Sequence, residues 1–351
     1  IHTYDGKVEF EGSEKDIVKA NLWLRCAGRV WVKMGSFTAV TFTELFDQTK
    51  ALPWGDWIPV DGKFTVVGKS VKSTLFSVSD CQAIVKKAIV EKLKEKYHVD
   101  WFDETGANYT VQVSILKDVV TLAIDTSGSG LHMRGYRANA LDAPLKETLA
   151  SALIQLSYWK KDRVLLDPFC GSGTIPIEAA MIARNIAPGL NRSFACEKWE
   201  RIGQQLWKDA RKAAYQAIDY DYTPTLYGSD IDANAIDLAK GNAEKAGVDD
   251  CITFTVQPVE ELKLPCRYGI LITNPPYGER LGDLRLVEDM YRALGRIMRE
   301  DMTWSTYLMT SMEHFESLFG RKADKKRKLF NGRIKTDYYQ YEGPRPPKEN
   351  Q

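Results

Sequence analysis

The chain has 351 residues, 44% of them hydrophobic and 27% charged, which is ordinary for a globular protein and enough for two or three domains. A formal net charge of +1 excludes a general attraction to nucleic acid, so any basic surface must be local. No apolar run approaches the roughly 20 residues of a membrane span, no zinc-ligand pattern is visible, and the six scattered cysteines are typical of a reducing cytoplasm.

The first 126 residues alternate short strand and helix patterns. Strands are predicted over residues 30–40 and 63–70, and an amphipathic helix over residues 79–97. Residues 109–126 predict two strands around a tight turn at Lys117-Asp118. We therefore expect a small α+β domain in this part of the chain.

Residues 127–160 interrupt this alternation. The stretch SGSGLHMRGYR, residues 127–137, is rich in glycine and predicts a linker. A helix is predicted over residues 143–159, with Pro144 in its first turn. This segment therefore connects the first domain to a second one.

Strand and helix patterns alternate again over residues 161–351. Strands are predicted in RVLLDPF, PTLYGSD, ITFTVQ, YGILITNPPY and WSTYLMTS, with helices between them. The last stretch, RKLFNGRIKTDYYQYE, predicts two strands around a type I′ turn at Asn331-Gly332. The predicted fold class is α/β, a Rossmann-like, doubly wound and mostly parallel sheet with an antiparallel hairpin at its end.

A glycine-containing loop follows the first strand of this second domain, in DPFCGSGTIPIEAA at residues 167–180. Gly171 and Gly173 let the backbone turn sharply, and the helix that begins near Thr174 directs its unpaired N–H groups at the loop. The loop lacks the lysine of a phosphate-binding P-loop and the third glycine of a nicotinamide-binding motif. Asp167 would repel a pyrophosphate but suits a cationic amine, so we predict S-adenosylmethionine as the ligand, although a tight turn without a ligand is the alternative.

The second strand supplies an acid for the ribose of that cofactor. Asp230 ends the strand in LYGSDID, residues 226–232, and Asp232 is the predicted cap of the next helix. The segment 185–222 between this strand and the glycine loop is unusually long.

The fourth strand ends in ILITNPPYGERLGD, residues 270–283. Because proline cannot donate a backbone hydrogen bond, the strand must end there. The Asn274 side-chain oxygen and the Pro275 carbonyl are two fixed acceptors that can hold both N–H groups of a planar amine, while Tyr277 can stack on a base for about 1–3 kcal/mol. Pro275 and Pro276 would lock these acceptors in place, so no strong general base is required. A turn that merely ends a strand is the alternative, but the order of loop, acid and N-P-P-Y favours an amino-methyltransferase.

These motifs together resemble the bacterial ribosomal RNA guanine-N2 methyltransferases that carry a THUMP domain, a family often labelled adenine-N6 DNA methylases. The resemblance rests on LLDPFCGSGTIPIEAAMIARNIAPGLNR, YGSDID and TNPPYGERLG, and on VKSTLFSVSDCQAIVKKAIVEKL at residues 71–93, which is similar to the THUMP core. It covers essentially the whole chain. It implies a ferredoxin-like remnant plus THUMP RNA-binding domain over residues 1–126, a linker and connecting helix over 127–160, and a catalytic domain over 161–351.

The resemblance also implies a role for individual residues. It assigns the catalytic contacts to the target amine to Asn274, Pro275, Pro276 and Tyr277. It assigns cofactor contacts to Asp167, Phe169, Gly171, Gly173, Thr174, Asp230 and Asn274. Where many methyltransferases place an aspartate after the third strand, this chain has Gln257, whose amide can still accept a hydrogen bond from the adenine. No metal is expected.

The implied partner is RNA, either ribosomal RNA or a ribosomal assembly intermediate. The run RKADKKRKLFNGRIK, residues 321–335, holds eight Lys or Arg and one Asp and is either a solvated loop or a phosphate-binding surface. A second candidate surface consists of Lys69, Lys72, Lys86 and Lys87, and a third of Arg134, Tyr136 and Arg137 in the linker.

Three other functions stay open at this point. An adenine-N6 methyltransferase acting on DNA or RNA would use the same N-P-P-Y, although no target-recognition domain is visible. Methylation of a protein glutamine amide fits the motif but not the THUMP-like half. An RNA-binding assembly factor with a vestigial cofactor site fits poorly with an intact set of Asp167, Asp230 and Asn274. Oligomeric state is not predicted.

Overall fold

A computed structural model describes residues 1–137, 145–278 and 284–347. Among these residues, no helix combines the length and apolar character that a bilayer crossing requires. In chain order the helices and strands are β1 (His2–Tyr4), β2 (Lys7–Glu9), α1 (Glu14–Trp23), β3 (Trp31–Thr38), α2 (Phe42–Lys50), β4 (Lys63–Val71), α3 (Val78–Tyr97), β5 (Asn108–Leu116), β6 (Val119–Asp125), α4 (Glu147–Leu156), β7 (Leu165–Asp167), α5 (Thr174–Ala183), α6 (Gln204–Gln216), β8 (Leu226–Asp230), α7 (Ala233–Ala246), β9 (Ile252–Val256), β10 (Ile270–Thr273), α8 (Leu284–Glu300), β11 (Ser305–Thr310), α9 (Phe315–Phe319), β12 (Lys325–Asn331) and β13 (Ile334–Tyr341).

The chain divides into two compact units. Unit 1 comprises Ile1–Leu131 and Arg192–Ala213, and unit 2 comprises His132–Asn191 and Ala214–Gln351.

Unit 1 contains a four-stranded sheet in the order β3-β6-β5-β4, in which only β4 and β5 run parallel. The β5–β6 hairpin turns at Lys117 and Asp118, whose φ angles of +50° and +62° match a two-residue type I′ turn. The predicted amphipathic helix is α3, which buries Val85 and Ile89 in the core of this unit. These predictions from sequence periodicity are confirmed.

The segment Arg192–Ala213 belongs to unit 1, whereas the sequence prediction assigned it to the domain over 161–351. Its aromatic side chains explain the difference. Trp199 is buried and stacks on Tyr109 with ring centroids 4.6 Å apart, and Phe194 stacks on Trp207 at 5.2 Å. A segment of this length that buries several aromatic rings is held by their packing rather than by its position along the chain.

Unit 2 contains, among its described residues, a seven-stranded sheet in the order β12-β13-β11-β10-β7-β8-β9. The pairs from β11 to β9 are parallel, and β13 and β12 add an antiparallel hairpin. The predicted fold class is therefore confirmed. Its first two strands, β7 and β8, and the later strand β10 lie side by side, so the polar residues at their carboxyl ends meet at one edge of the sheet.

The structure corrects the predicted hairpin turn and the predicted bounds of one helix. The β12–β13 turn consists of Gly332 and Arg333, because Asn331 pairs with Ile334. Of the two turn residues only Gly332 has a positive φ, +64°, which is the type II′ rather than the predicted type I′ pattern. The helix predicted over 143–159 is found as Glu147–Leu156. Pro144 and the residues 279–283 that follow N-P-P-Y-G lie outside the described residues.

Candidate active site

The candidate site lies where the strand order reverses. The chain proceeds from β7 outward to β8 and β9, and then returns to place β10 on the other side of β7. Such a switch point leaves a crevice at the carboxyl ends of the two central strands. Thr273, the last residue of β10, donates a hydrogen bond of 2.6 Å from its Oγ1 to Oδ1 of Asp167, the last residue of β7. This bond joins the glycine loop to the N-P-P-Y segment.

Asp167 is a carboxyl group in an unusual environment. It is 1% exposed, and its Oδ1 also accepts from the backbone N–H of Phe169 at 3.2 Å. Burial raises its pKa to about 7, an increase that the two hydrogen bonds oppose and the nearby Asp230 carboxylate reinforces. Because burial disfavours the ionised form, a cationic ligand at this position would relieve part of that cost.

The glycine loop has the shape expected of a ligand-binding turn. Gly171 and Gly173 have φ angles of +50° and +81°, a region that other residues rarely occupy. A Cβ atom at Gly173 would lie 3.0 Å from both Ala239 and Phe254, whereas one at Gly171 would have no atom within 4 Å. The loop is therefore packed on the Gly173 side and open at Gly171, where a ligand could approach the backbone.

Asp230 fixes this loop from the neighbouring strand. Its Oδ2 accepts from the Gly171 N–H and its Oδ1 from the Asp232 N–H, both at 3.0 Å. Asp232 caps α7 as predicted, through Oδ1 and the Asn234 N–H at 2.9 Å. Gln257 is adjacent, because its N–H donates to the Asp230 carbonyl at 2.9 Å. Its side-chain Nε2 donates to the Glu261 carbonyl at 2.7 Å, so its amide oxygen is the atom that can accept from a ligand.

The N-P-P-Y segment is held by aromatic hydroxyl groups. The Tyr291 hydroxyl donates to the Pro276 carbonyl at 2.8 Å and lies 2.9 Å from the Thr310 hydroxyl. The Tyr277 hydroxyl donates to Oδ1 of Asn274. Among the described residues no donor bonds to the Pro275 carbonyl. Of the two acceptors predicted for the target amine, Asn274 Oδ1 thus accepts from the Tyr277 hydroxyl and has a second lone pair that can accept from a substrate amine.

Thr174, predicted to contact the cofactor, has its side chain engaged elsewhere. It is buried, and its Oγ1 accepts from Nη2 of Arg137 at 2.8 Å. Arg137 also pairs with Glu147 at 3.4 Å. The contribution of Thr174 to a ligand would therefore come from the backbone at the start of α5 rather than from its hydroxyl.

Two of the three linker residues predicted as a third RNA surface, Arg134 and Tyr136, are buried, so the prediction is wrong for these two, and Arg137 is partly exposed. Arg134 is 2% exposed and pairs with the fully buried Glu178 at 3.3 Å. Tyr136 is also buried, and its hydroxyl donates to the same carboxylate. One signal could have indicated this arrangement: Glu178 is the single charged residue in the apolar helix TIPIEAAMIA, and a buried charge requires a partner.

The first candidate RNA surface, by contrast, lies beside the site. Nδ2 of Asn331, at the end of β12, is 3.5 Å from the Tyr277 hydroxyl. The basic side chains of β12 are exposed. In unit 1, Lys69, Lys72, Lys86 and Lys87 are also exposed. Within the described ranges, no group of three or more His, Cys, Asp or Glu residues could hold a metal ion.

Three protein-family models match consecutive parts of the chain. The model described as "RlmL ferredoxin-like domain" matches residues 1–31, and "THUMP domain" matches residues 39–125. The model described as "RMKL-like, methyltransferase domain" matches residues 134–340.

Two relatives are similar over nearly the whole chain. It is 55% identical over 339 residues to "Putative RNA methyltransferase YpsC" of Bacillus subtilis (strain 168), which covers 96% of this chain and 88% of that protein. It is 36% identical over 344 residues to "Ribosomal RNA large subunit methyltransferase K/L" of Psychromonas ingrahamii. The matched region covers 94% of this chain but 45% of that longer protein.

Two solved structures share the fold throughout. A "predicted N6-adenine-specific DNA methylase" from Listeria monocytogenes is 54% identical with a TM-score of 0.91, covering 95% of this chain and 87% of its own. "SMU.472, a putative methyltransferase complexed with SAH" is 43% identical with a TM-score of 0.90, covering 96% and 89%.

Proposed function

The chain belongs to the RMKL-like methyltransferase family, and we propose that its substrate is RNA and its target the exocyclic N2 amine of a guanine in large-subunit ribosomal RNA. Family membership, the ferredoxin-like and THUMP matches and the methyltransferase fold confirm the resemblance predicted from the motifs. The methyl donor is S-adenosylmethionine. An RNA substrate is supported by the THUMP match and by the names of the two relatives.

The residues of the site fit this cofactor. S-adenosylmethionine, when bound, supplies the methyl group together with a cationic amine, a ribose and an adenine. Asp167 would hold the cationic amine, because its buried carboxyl group gains most from a nearby positive charge. Asp230 would accept from the ribose hydroxyls, and Gln257 from the adenine. The open side of Gly171 leaves room for the ligand against the loop backbone.

The structural observation that supports methyl transfer at this site is the 2.6 Å bond between Thr273 and Asp167. It couples the strand end that would hold the cofactor to the strand end that would hold the target amine. Two groups fixed on adjacent strands of one sheet keep their separation, which is the main requirement for a transfer that depends on positioning.

The chain's own residues would then orient the target. Asn274 Oδ1 and the Pro275 carbonyl accept the two N–H groups, which directs the nitrogen lone pair out of the plane of the base. Pro276 is held by Tyr291, so the acceptors are preorganised rather than recruited. The ring of Tyr277, three residues after Asn274, would stack on the base.

Adenine N6 is the second candidate target, since it is also an exocyclic amine and the Listeria relative is described as a "predicted N6-adenine-specific DNA methylase". Methylation assays with labelled S-adenosylmethionine separate the two. The substrates are ribosomal RNA from a strain that lacks this gene, RNA from the parent strain as the control, and genomic DNA. Nucleoside analysis follows.

Label in N2-methylguanosine, present with RNA from the deletion strain and absent with parental RNA, is the expected result. Label in N6-methyladenine would transfer the proposal to the second candidate. The Asn274→Ala variant serves as the matched control, because it should bind S-adenosylmethionine and transfer nothing. If RNA and DNA both stay unlabelled while the cofactor binds, ribosomal assembly intermediates from the deletion strain are tested, and an absence of label there refutes the proposal.

A further inference from the structure

The hairpin tip, defined as residues 328–335 of the β12–β13 hairpin, exposes an aromatic ring. Phe330 is 61% exposed and lies in register with Lys335 on the neighbouring strand. β12 is the outermost strand of the sheet. An exposed phenylalanine on an edge strand favours aggregation, a cost that a ligand-binding role of this ring would offset.

Positive charge is concentrated in the same stretch of the chain, residues 321–335. Of the eight Lys and Arg residues in 321–335, ion pairs within the described chain engage two: Arg321 with Asp324 and Lys326 with Glu316. The other six are exposed and form no ion pair with a described residue: Lys322, Lys325, Arg327, Lys328, Arg333 and Lys335. Aromatic rings interleaved with unpaired cations are the combination with which proteins bind single-stranded nucleic acid.

The tip also contacts the candidate site. Asn331 is 3.5 Å from the Tyr277 hydroxyl, and that hydroxyl bonds to Asn274. Since successive residues of a strand point to opposite faces, Phe330 projects away from Asn331. Because β12 is the outermost strand of the sheet, a polynucleotide with one base at Asn274 can pass around the edge of the hairpin and bring a neighbouring nucleotide to Phe330 on its other face.

We propose that the hairpin tip binds single-stranded RNA adjacent to the target base, with Phe330 stacking on the base of a neighbouring nucleotide and the unpaired cations contacting its phosphates. The inference rests on the proposed function for the class of ligand. It adds that the substrate must be unpaired at and beside its target. A base in a duplex presents no face to a ring on an edge strand, because both faces are stacked on neighbouring bases.

The test is binding of a fluorescein-labelled 20-nucleotide RNA of mixed sequence to the full chain, measured by anisotropy, with the same sequence as a duplex for comparison. Phe330→Ala should weaken single-strand binding roughly 10-fold, and Phe330→Tyr should restore it. Duplex binding should change less than 2-fold. Tyr220→Ala is the matched control, because Tyr220 is 64% exposed and precedes β8, toward the amino ends of the strands.

Arg333→Gln gives a second, independent readout. It should reduce the slope of log affinity against log salt concentration by about 0.7, as expected for one lost phosphate contact on a single strand. The affinity for S-adenosylmethionine, measured calorimetrically, should be the same in all variants and shows that they are folded.

Two results would overturn the inference. One is a Phe330→Ala affinity within 2-fold of the unmodified chain; the other is an equal loss of single-strand and duplex binding. Neither depends on methyl transfer. If neither free ribosomal RNA nor ribosomal assembly intermediates yield N2-methylguanosine but Phe330→Ala still loses single-strand binding selectively, the proposed target is wrong and the binding surface stands.

Discussion

Asp167→Asn should stabilise the ligand-free protein and weaken its cofactor binding at the same time. The substitution keeps an acceptor for the Thr273 hydroxyl and the Phe169 N–H but removes the charge. A pKa of about 7 in the folded chain, against an ordinary value of 3.8, corresponds to about 4 kcal/mol at roughly 1.4 kcal/mol per pH unit. This is the free energy by which the ionised carboxylate opposes folding.

The effect of Asp167 on the free energy of unfolding should depend on pH. Because the pKa of Asp167 is raised by folding, the unfolded chain loses the proton first as pH rises. The carboxyl group therefore has no unfavourable effect below pH 3.8, and its full effect is reached above pH 7. The unfolding free energy of Asp167→Asn minus that of the unmodified chain should increase by about 2.5 kcal/mol between pH 5 and pH 8.

Urea unfolding of both proteins without cofactor, followed by circular dichroism at pH 5, 6, 7 and 8, measures this difference. Calorimetry at pH 8 should show that Asp167→Asn binds S-adenosylmethionine more weakly, since the neutral amide cannot pair with its cationic amine. A stability difference that is constant with pH would refute the burial argument. An unchanged cofactor affinity would refute the role of Asp167 in binding.

The remaining predictions concern the acceptors and the buried pair. Asn274→Ala should abolish methyl transfer and leave the affinity for S-adenosylmethionine within a few-fold of the unmodified chain. Asp230→Ala should instead lower that affinity. Calorimetry and transfer assays on both variants measure these effects, and the opposite pattern would show that the two roles have been exchanged. Tyr277→Phe should keep kcat/KM for RNA within a few-fold, because the ring remains. Tyr277→Ala should lower kcat/KM about 10- to 100-fold, because stacking on the base is lost. Equal losses in the two variants, measured by steady-state kinetics, would mean that the hydroxyl and not the ring is required. Glu178→Gln should cost about 3–5 kcal/mol in urea unfolding because it removes the carboxylate that pairs with the buried Arg134. Adding Arg134→Met should recover most of this loss, and no recovery would show that the pair itself is not the cause.

Local patterns in the sequence were sufficient to predict the fold class and to bring most of the candidate-site residues to one edge of the sheet. Gly171 and Gly173 indicate a sharp turn in the loop after β7, and Pro275 and Pro276 end β10. Glycine and proline have these effects because each has its own range of backbone conformations, whatever residues surround it. Alternation of strand and helix patterns implies a parallel sheet, and a parallel sheet brings the carboxyl ends of its strands to one edge. Asp167, Asp230 and Asn274 could therefore be assigned to one site from spacing and strand order alone.

Which charged side chains are buried, and which residues they pair with, depended on the tertiary structure. Thr273 and Asp167 are 106 positions apart, and Arg134 and Glu178 are 44 apart. The single charge of the apolar helix α5, Glu178, indicates that a buried partner is needed but does not identify Arg134 as that partner. No local pattern indicates that Arg192–Ala213 belongs to unit 1. A residue's own chemistry limits the backbone it can adopt, but whether its charge meets water or a counter-charge is decided by residues that only folding brings into contact.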